Sequence, residues 1–317
     1  MRDMSAARPY AVHGTSILAR YRQINRPYVR AHMLQRKLGI LIHIPTELPH
    51  RITGVEILNT ESTQERLAGE AAFQDERMRN ALEGKPEFRD KFYFVNRIAN
   101  EKYESFLADL AGQRAVVVGS SDCGVTPLAR RGVYAEGIDI SSVSIEKLQK
   151  SIEEEGLQKF ASARVMNAED LSYDSRSIDI ITCSGVLHHI DTDKALQSWA
   201  RCIKTTGSVV MFEPLALHPL AAIFRWLTPS MRTPDEHPLR ARDFAIMEKY
   251  YGRVERFDYG LFTPICAGLA VIPGLRWLAG KLLPVFEKLD SGTLKVLPFL
   301  RNFCWLTVVK LTAPKTP

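Results

Sequence analysis

The chain has 317 residues, 45% of them hydrophobic and 25% charged, a globular balance that excludes a disordered or fibrous protein. Its 42 Lys and Arg against 36 Asp and Glu give a net charge of +6, but the surplus is local. Residues 1–52 hold nine basic residues (Arg2, Arg8, Arg20, Arg22, Arg26, Arg30, Arg36, Lys37, Arg51) against Asp3 and Glu47, and the other 265 residues carry 33 basic and 34 acidic ones. The basic character therefore belongs to one segment. Without a recognisable DNA- or RNA-binding module behind it, nucleic acid is not the expected partner.

Within that segment Ile17, Leu18, Tyr21 and Ile24, then Leu34, Leu38 and Leu41, recur at helical spacing, so part of it is expected to fold. The five cysteines (Cys123, Cys183, Cys202, Cys266, Cys304) are odd in number, scattered and without a CxxC pair. A disulfide framework or structural zinc is not expected, and a cytoplasmic setting fits. The early Arg2 and Asp3, with no apolar run behind them, do not read as a signal peptide. Tyr259–Leu275 is uncharged over 17 residues but holds Pro264 and Pro273. A spanning helix needs about 20 apolar residues, so contact with a membrane surface is the most this stretch predicts.

In chain order, Val95, Ile98, Tyr103, Phe106, Leu107 and Leu110 predict an amphipathic helix ending at Leu110. Ala115–Val118 is a fully apolar run stopped by Gly119, the mark of a buried parallel strand. A helix closing at Gly132 follows, then a strand over Glu136–Ile140, a charged helix over Ser144–Phe160 and a strand over Ala163–Met166. Ile178–Cys183 reads as a fourth strand, Lys194–Lys204 as a helix ended by Thr205-Thr206-Gly207, and Ser208–Phe212 as a fifth strand. A helix over Asp243–Tyr251, a strand around Val254–Phe257, an apolar helical stretch and a last strand over Phe303–Leu311 complete the order. Strands alternating with helices predict an α/β protein. Its sheet should be Rossmann-like, seven-stranded and mostly parallel, with helices on both faces, an N-terminal helical extension and a helical insertion before the last strand.

One segment carries the chemistry. Gly119-Ser120-Ser121-Asp122-Cys123-Gly124 is a turn between strand and helix, and Asp139 follows Gly119 by 20 residues at the end of the next strand. Such a turn lets backbone N–H groups approach a ligand while the acid accepts ribose hydroxyls. It suits a dinucleotide or S-adenosylmethionine. Further on stand Asn167-Ala168-Glu169-Asp170-Leu171, then Cys183-Ser184-Gly185 leading to Val186-Leu187-His188-His189, then Thr205-Thr206-Gly207. In this combination the chain resembles the class I S-adenosylmethionine-dependent methyltransferases from about Lys91 to Pro214, plus the last strand.

The resemblance implies S-adenosyl-L-methionine as cofactor. It puts Gly119, Ser120 and Ser121 at the methionine part, Asp139 at the ribose, Ile140 and Asn167 with Ala168 at the adenine, and Ser184 and Gly185 at the sulfonium side; Tyr93 joins them. Departures are Val117 where the family carries an acid, Ser121 for a glycine, and Thr205-Thr206 for Pro-Gly. The catalytic candidates are His188, His189, Glu213 and His237. A histidine at the carboxyl end of a strand, with an ordinary pKa near 6.5, suits proton removal at neutral pH. Glu213-Pro214 ends the fifth strand at the same edge. His237 lies in the dense loop Arg232-Thr233-Pro234-Asp235-Glu236-His237-Pro238-Leu239, whose pattern also occurs in related methyltransferases. Asp179 reads as structural, and Cys183 as a small strand residue rather than a nucleophile. No metal is implied, since His and carboxylate clusters at ligand spacing are absent apart from the loop around His237.

The acceptor must be read from the parts added to the core. Ala221–Leu227 and Tyr259–Leu283 are apolar, and the basic segment could meet an anionic end through Arg20, Arg22, Arg26 and Arg30. A prenyl diphosphate or terpenoid methylated on carbon answers both demands, its cation stabilised by aromatic faces. The alternatives are O- or C-methylation of a quinone, polyketide or lipid with a histidine base, and a non-catalytic scaffold. The expected divisions are a basic extension or cap over 1–85, a cofactor-binding core over 86–258, an apolar lid over 259–302, and a final strand and tail over 303–317. A homodimer through the basic arm is a further expectation.

Overall fold

A computed structural model describes residues 60–84, 93–119, 124–229, 233 and 235–315. The basic segment, with Arg20, Arg22, Arg26 and Arg30, lies outside them, as do Ser120 to Cys123, Arg232 and Pro234. The described chain opens with α1 (Thr60–Leu82), a 3-10 turn over Tyr93–Asn96 and α2 (Arg97–Phe106). There follow β1 (Arg114–Val118), α3 (Val125–Arg130), β2 (Tyr134–Asp139), α4 (Ser142–Glu154), β3 (Ala161–Val165) and β4 (Ile178–Ser184). After these come α5 (Thr192–Cys202), β5 (Ile203–Pro214), α6 (Pro219–Leu227), α7 (Ala241–Tyr250) and β6 (Tyr251–Tyr259). The insertion is α8 (Pro264–Val271) and α9 (Arg276–Val296), and β7 (Leu306–Pro314) ends it.

The strands form one seven-stranded sheet in the order β3-β2-β1-β4-β5-β7-β6. The first five are parallel, and β7 runs antiparallel to both β5 and β6. This is the expected Rossmann-like architecture. Its central strand shows why the apolar run has no polar face: Val116 and Val118 pack toward α5 and α7, and Ala115 and Val117 toward α3 and α4. Each fully buried valine or isoleucine contributes about 1.5–3 kcal/mol, so the parallel centre is strongly stabilising.

Most element boundaries shift by a few residues from the sequence expectation, and three of the shifts are instructive. The first helix stops at Phe106, because Asp109 sits at φ 57° and turns the chain into β1. The charged helix ends at Glu154 rather than Phe160. The expected Thr205-Thr206-Gly207 turn is instead inside β5, after a register shift opposite Ile178–Ile180. A Cβ on Gly207 would lie 2.6 Å from the Asp179 carbonyl oxygen, so the strand crosses there only because the residue has no side chain. Asp179 is structural, as read: its carboxylate accepts from the Arg114 N–H at 3.0 Å and the Lys204 ammonium at 2.7 Å.

The insertion packs on itself through Cys266, Ala267, Ala279 and Leu283. Asp290 on α9 is buried and accepts from the Leu261 and Phe262 N–H groups and the Thr263 hydroxyl, pinning the β6–α8 turn. The outer side of α9 leaves Trp277, Val285 and Leu289 exposed, and α6 leaves Ile223, Trp226 and Leu227 exposed. Among the described residues no helix is long and apolar enough to cross a membrane.

His218 caps α6. Its Nδ1 accepts from the Ala221 N–H at 3.2 Å, so Nε2–H donates to the Leu261 carbonyl, also at 3.2 Å. Burial holds its pKa below the ordinary histidine value of 6.5. Below that pH the unfolded chain binds a proton that the folded one resists. The stability from the neutral ring is present above 6.5 and lost as pH falls toward the folded value. Thermal unfolding from pH 7.5 to pH 5 should show a fall in Tm (pH values spanning about the ordinary histidine range). The fall should shrink in His218→Asn, which keeps a cap without the titration.

Candidate active site

The functional elements meet at the carboxyl edge of the parallel strands, where open α/β sheets hold ligands. Gly119 leaves β1 at φ 78°, in the left-handed region, with its N–H donating to the Ile138 carbonyl at 2.9 Å. A Cβ there would stand 2.4 Å from Cγ2 of Val186. Two features follow: the turn after β1 must be glycine, and it lies directly against the turn after β4. Asp139 ends β2, half-buried, with Oδ1 accepting from the Ser141 N–H at 2.8 Å. Ser141 in turn caps α4 through the Ser144 N–H, at 3.1 Å.

Beyond β3, Asn167 Oδ1 accepts from the Glu169 N–H at 2.9 Å, which closes a tight polar loop. The Ala168 carbonyl is taken by the buried Trp199 indole N–H at 2.8 Å. Ser184 and Gly185 are exposed at the end of β4, Gly185 held by its N–H to the Phe212 carbonyl at 2.8 Å. Gly119, Asp139, Ile140, Asn167, Ala168, Ser184 and Gly185 thus share one edge. Tyr93 opens the 3-10 turn before α2, and its side chain lies outside the described residues, as do Ser120 and Ser121. A glycine cradle that any Cβ would fill, next to a half-exposed acid on the neighbouring strand, fits a cofactor carrying a ribose.

The histidines are built differently from each other. His188 is buried, and its Nδ1 lies 2.6 Å from Oε2 of Glu213. Glu213 is 0% exposed, and its other oxygen accepts from the Val186 N–H at 3.0 Å and the Leu187 N–H at 2.9 Å. A carboxylate held by three donors is an acceptor, so Nδ1 of His188 carries the proton and Nε2 is the basic nitrogen. Glu213 therefore does not turn toward an acceptor; it reads out the β4 turn and fixes the imidazole. Cys183, also against Glu213 at 3.6 Å, is pushed well above the usual thiol pKa, first by burial and then by the carboxylate. It stays a thiol, consistent with a strand residue and not a nucleophile.

The His189 ring packs tilted by 40° against that of His188, with centroids 4.2 Å apart, and its Nδ1 lies 3.3 Å from Oε1 of Glu70 on α1. The loop after α6 closes from the other side: the His237 N–H donates to the His188 carbonyl at 2.8 Å, and Leu239 pairs with Pro214 and Ala216. The His237 ring, however, is 3.0 Å from the Asp235 carbonyl in its own loop. It is the neighbouring Glu236 that joins the histidines, so that one ligand atom each from His188, His189 and Glu236 lie within 4.8 Å of one another.

The expected helical extension is present here as α1, which lies across this edge, but sequence reasoning named none of its residues. Arg66 pairs with Glu169 and donates to the His189 carbonyl at 3.5 Å; Glu70 meets His189; Asp75 accepts from the Ser141 hydroxyl at 2.5 Å. The signal available was the pair Arg66 and Glu70, four residues apart and therefore on one helical side.

Residues 117–211 match the family model described as "Methyltransferase domain". The chain is 27% identical over 138 residues to "Phosphatidylethanolamine N-methyltransferase" of Cereibacter sphaeroides. That alignment takes in 43% of this chain, and it spans 66% of the relative's length. Among solved structures it is similar to a putative sarcosine dimethylglycine methyltransferase from Galdieria sulphuraria (TM-score 0.49, 15% identity, 75% of this chain and 97% of that one). It is similar also to geranyl diphosphate C-methyltransferase from Streptomyces coelicolor A3(2) (TM-score 0.47, 15% identity, 70% and 80%). The core of the chain is a class I S-adenosylmethionine-dependent methyltransferase domain, and its cofactor is S-adenosyl-L-methionine.

Proposed function

We propose that the whole chain methylates a hydroxyl on a hydrophobic, lipid-like or quinone-like acceptor, activated at His188 and His189. The observation that carries this reading is the buried Glu213–His188 pair beside Gly185. S-Adenosyl-L-methionine supplies an electrophilic methyl group on sulfur, held by Gly119, Asp139 and the loop at Asn167. The protein's own contribution is to place the acceptor, exclude water and hold the proton of its nucleophile. With Nδ1 engaged by Glu213, the Nε2 side of His188 is set toward that proton, which is worth about 10²–10⁴ in rate.

The exposed apolar residues of α6, which leaves the same edge of the sheet, support a greasy acceptor. The lipid named in the Cereibacter sphaeroides relative points the same way. The prenyl diphosphate expectation leaned on the apolar additions, which suit either acceptor, and on Arg20, Arg22, Arg26 and Arg30, which lie outside the described residues. Full-length protein given methyl-labelled cofactor and a panel of phenolic quinols, hydroxylated lipids, phosphatidylethanolamine and prenyl diphosphates tests the reading. Label on a hydroxyl is expected. Label only on an alkene carbon, only on an amine nitrogen, or on nothing, overturns it. His188→Ala should lower turnover about 10²–10⁴-fold while cofactor affinity, measured by calorimetry, holds.

A further inference from the structure

We propose that His188, His189 and Glu236 form a binding site for a divalent transition-metal ion of the zinc, cobalt or manganese type. Three separate segments converge on it: the end of β4, α1 behind His189, and the loop of residues 235–239. Two imidazoles and a carboxylate within 4.8 Å are a donor set that divalent ions of this kind accept, with positions left over for a substrate oxygen.

The groups behind the donors are the second observation. Nδ1 of His188 is hydrogen-bonded to Glu213 at 2.6 Å, and a carboxylate oxygen of Glu70 approaches Nδ1 of His189 to 3.3 Å. Both carboxylates are buried. A carboxylate on the far nitrogen of a metal-binding histidine fixes its tautomer and raises its basicity, and losing it typically costs about 10–100-fold in metal affinity. The loop carrying Glu236 is not left to wander, being docked to the His188 carbonyl through the His237 N–H.

Only the ion's role rests on the function proposed above. Bound to it, an acceptor hydroxyl would be acidified, its proton leaving to solvent, instead of being taken by a free imidazole. Its binding is independent of that function and is tested without turnover. Full-length protein stripped with a chelator is titrated with cobalt(II) and, separately, with zinc, following the cobalt absorption bands and the heat of binding. One saturable site per chain is expected. His189→Ala and Glu236→Gln should each weaken it at least about 10-fold. Affinity for S-adenosyl-L-methionine should be kept, showing that the variants fold. No saturable binding of either ion, or binding indifferent to both substitutions, overturns the site. If the chelated enzyme also turns over hydroxyl acceptors at full rate, the ion's part in the reaction is dismissed and the histidine base stands; if no hydroxyl is methylated while cobalt binds, the function falls and the metal site remains.

Discussion

Glu213→Gln is expected to lower turnover by about 10²–10⁴ while leaving the fold and cofactor affinity close to those of the parent. Glutamine keeps a carbonyl oxygen for the Val186 and Leu187 N–H groups, at 3.0 and 2.9 Å, so the turn after β4 retains its anchor. Its amide nitrogen then faces Nδ1 of His188, where a carboxylate oxygen stood at 2.6 Å. Two donors cannot meet there. The imidazole must move its proton to Nε2, and the nitrogen that should accept is converted into one that donates. A nitrogen NMR spectrum of the histidine ring would report the exchange directly, beside the turnover assay. Glu213→Ala removes both functions, leaves two buried N–H groups without partners, and should cost about 1–3 kcal/mol for each. A Gln variant as active as the parent would mean that the pair has no part in the reaction.

Gly119→Ala should destabilise the protein by about 2–5 kcal/mol and abolish measurable cofactor binding. Two strains add. An alanine at φ 78° costs about 1–2 kcal/mol. Its methyl group, 2.4 Å from Cγ2 of Val186, adds about 1–3 kcal/mol of overpacking. They separate by a double mutant. Val186→Ala clears the space and should return the packing part, leaving the backbone part in place. Urea denaturation of the parent, the two single variants and the pair measures this, and calorimetry with S-adenosyl-L-methionine measures the binding.

What could be read in advance divides along the range of the interactions involved. Ala115–Val118, Gly119 and Asp139 were legible because strand burial, a glycine turn and a 20-residue spacing are all local, and the fold uses them as written. The sheet followed from the alternation of strands and helices. Glu213 was visible as an acid at the right edge, but its direction was not. That depends on the β4 turn arriving with two N–H groups and a histidine, which only the assembled sheet supplies. His237 and Glu236 are adjacent in sequence, and no spacing rule says which faces the site; the pairing of Leu239 with Pro214 and Ala216 decides it. The site residues of α1, inside the expected helical extension, went unread for a related reason. They are polar, and their partners, Glu169, His189 and Ser141, belong to three loops over 60 residues further on.

The position of β7 has a consequence for how the chain is made. β6 touches the sheet only through β7, which is inserted between it and β5. While the polypeptide is emerging, the five parallel strands can assemble as soon as Pro214 is out, but Tyr251–Tyr259 has no strand to pair with until Leu306–Pro314 arrives. Through that interval β5 is a bare sheet edge and β6 a loose strand, a state open to pairing between nascent chains. The helices α8 and α9, synthesised in exactly that window and packing on one another through Ala267 and Ala279, give the waiting segment a local structure to hold.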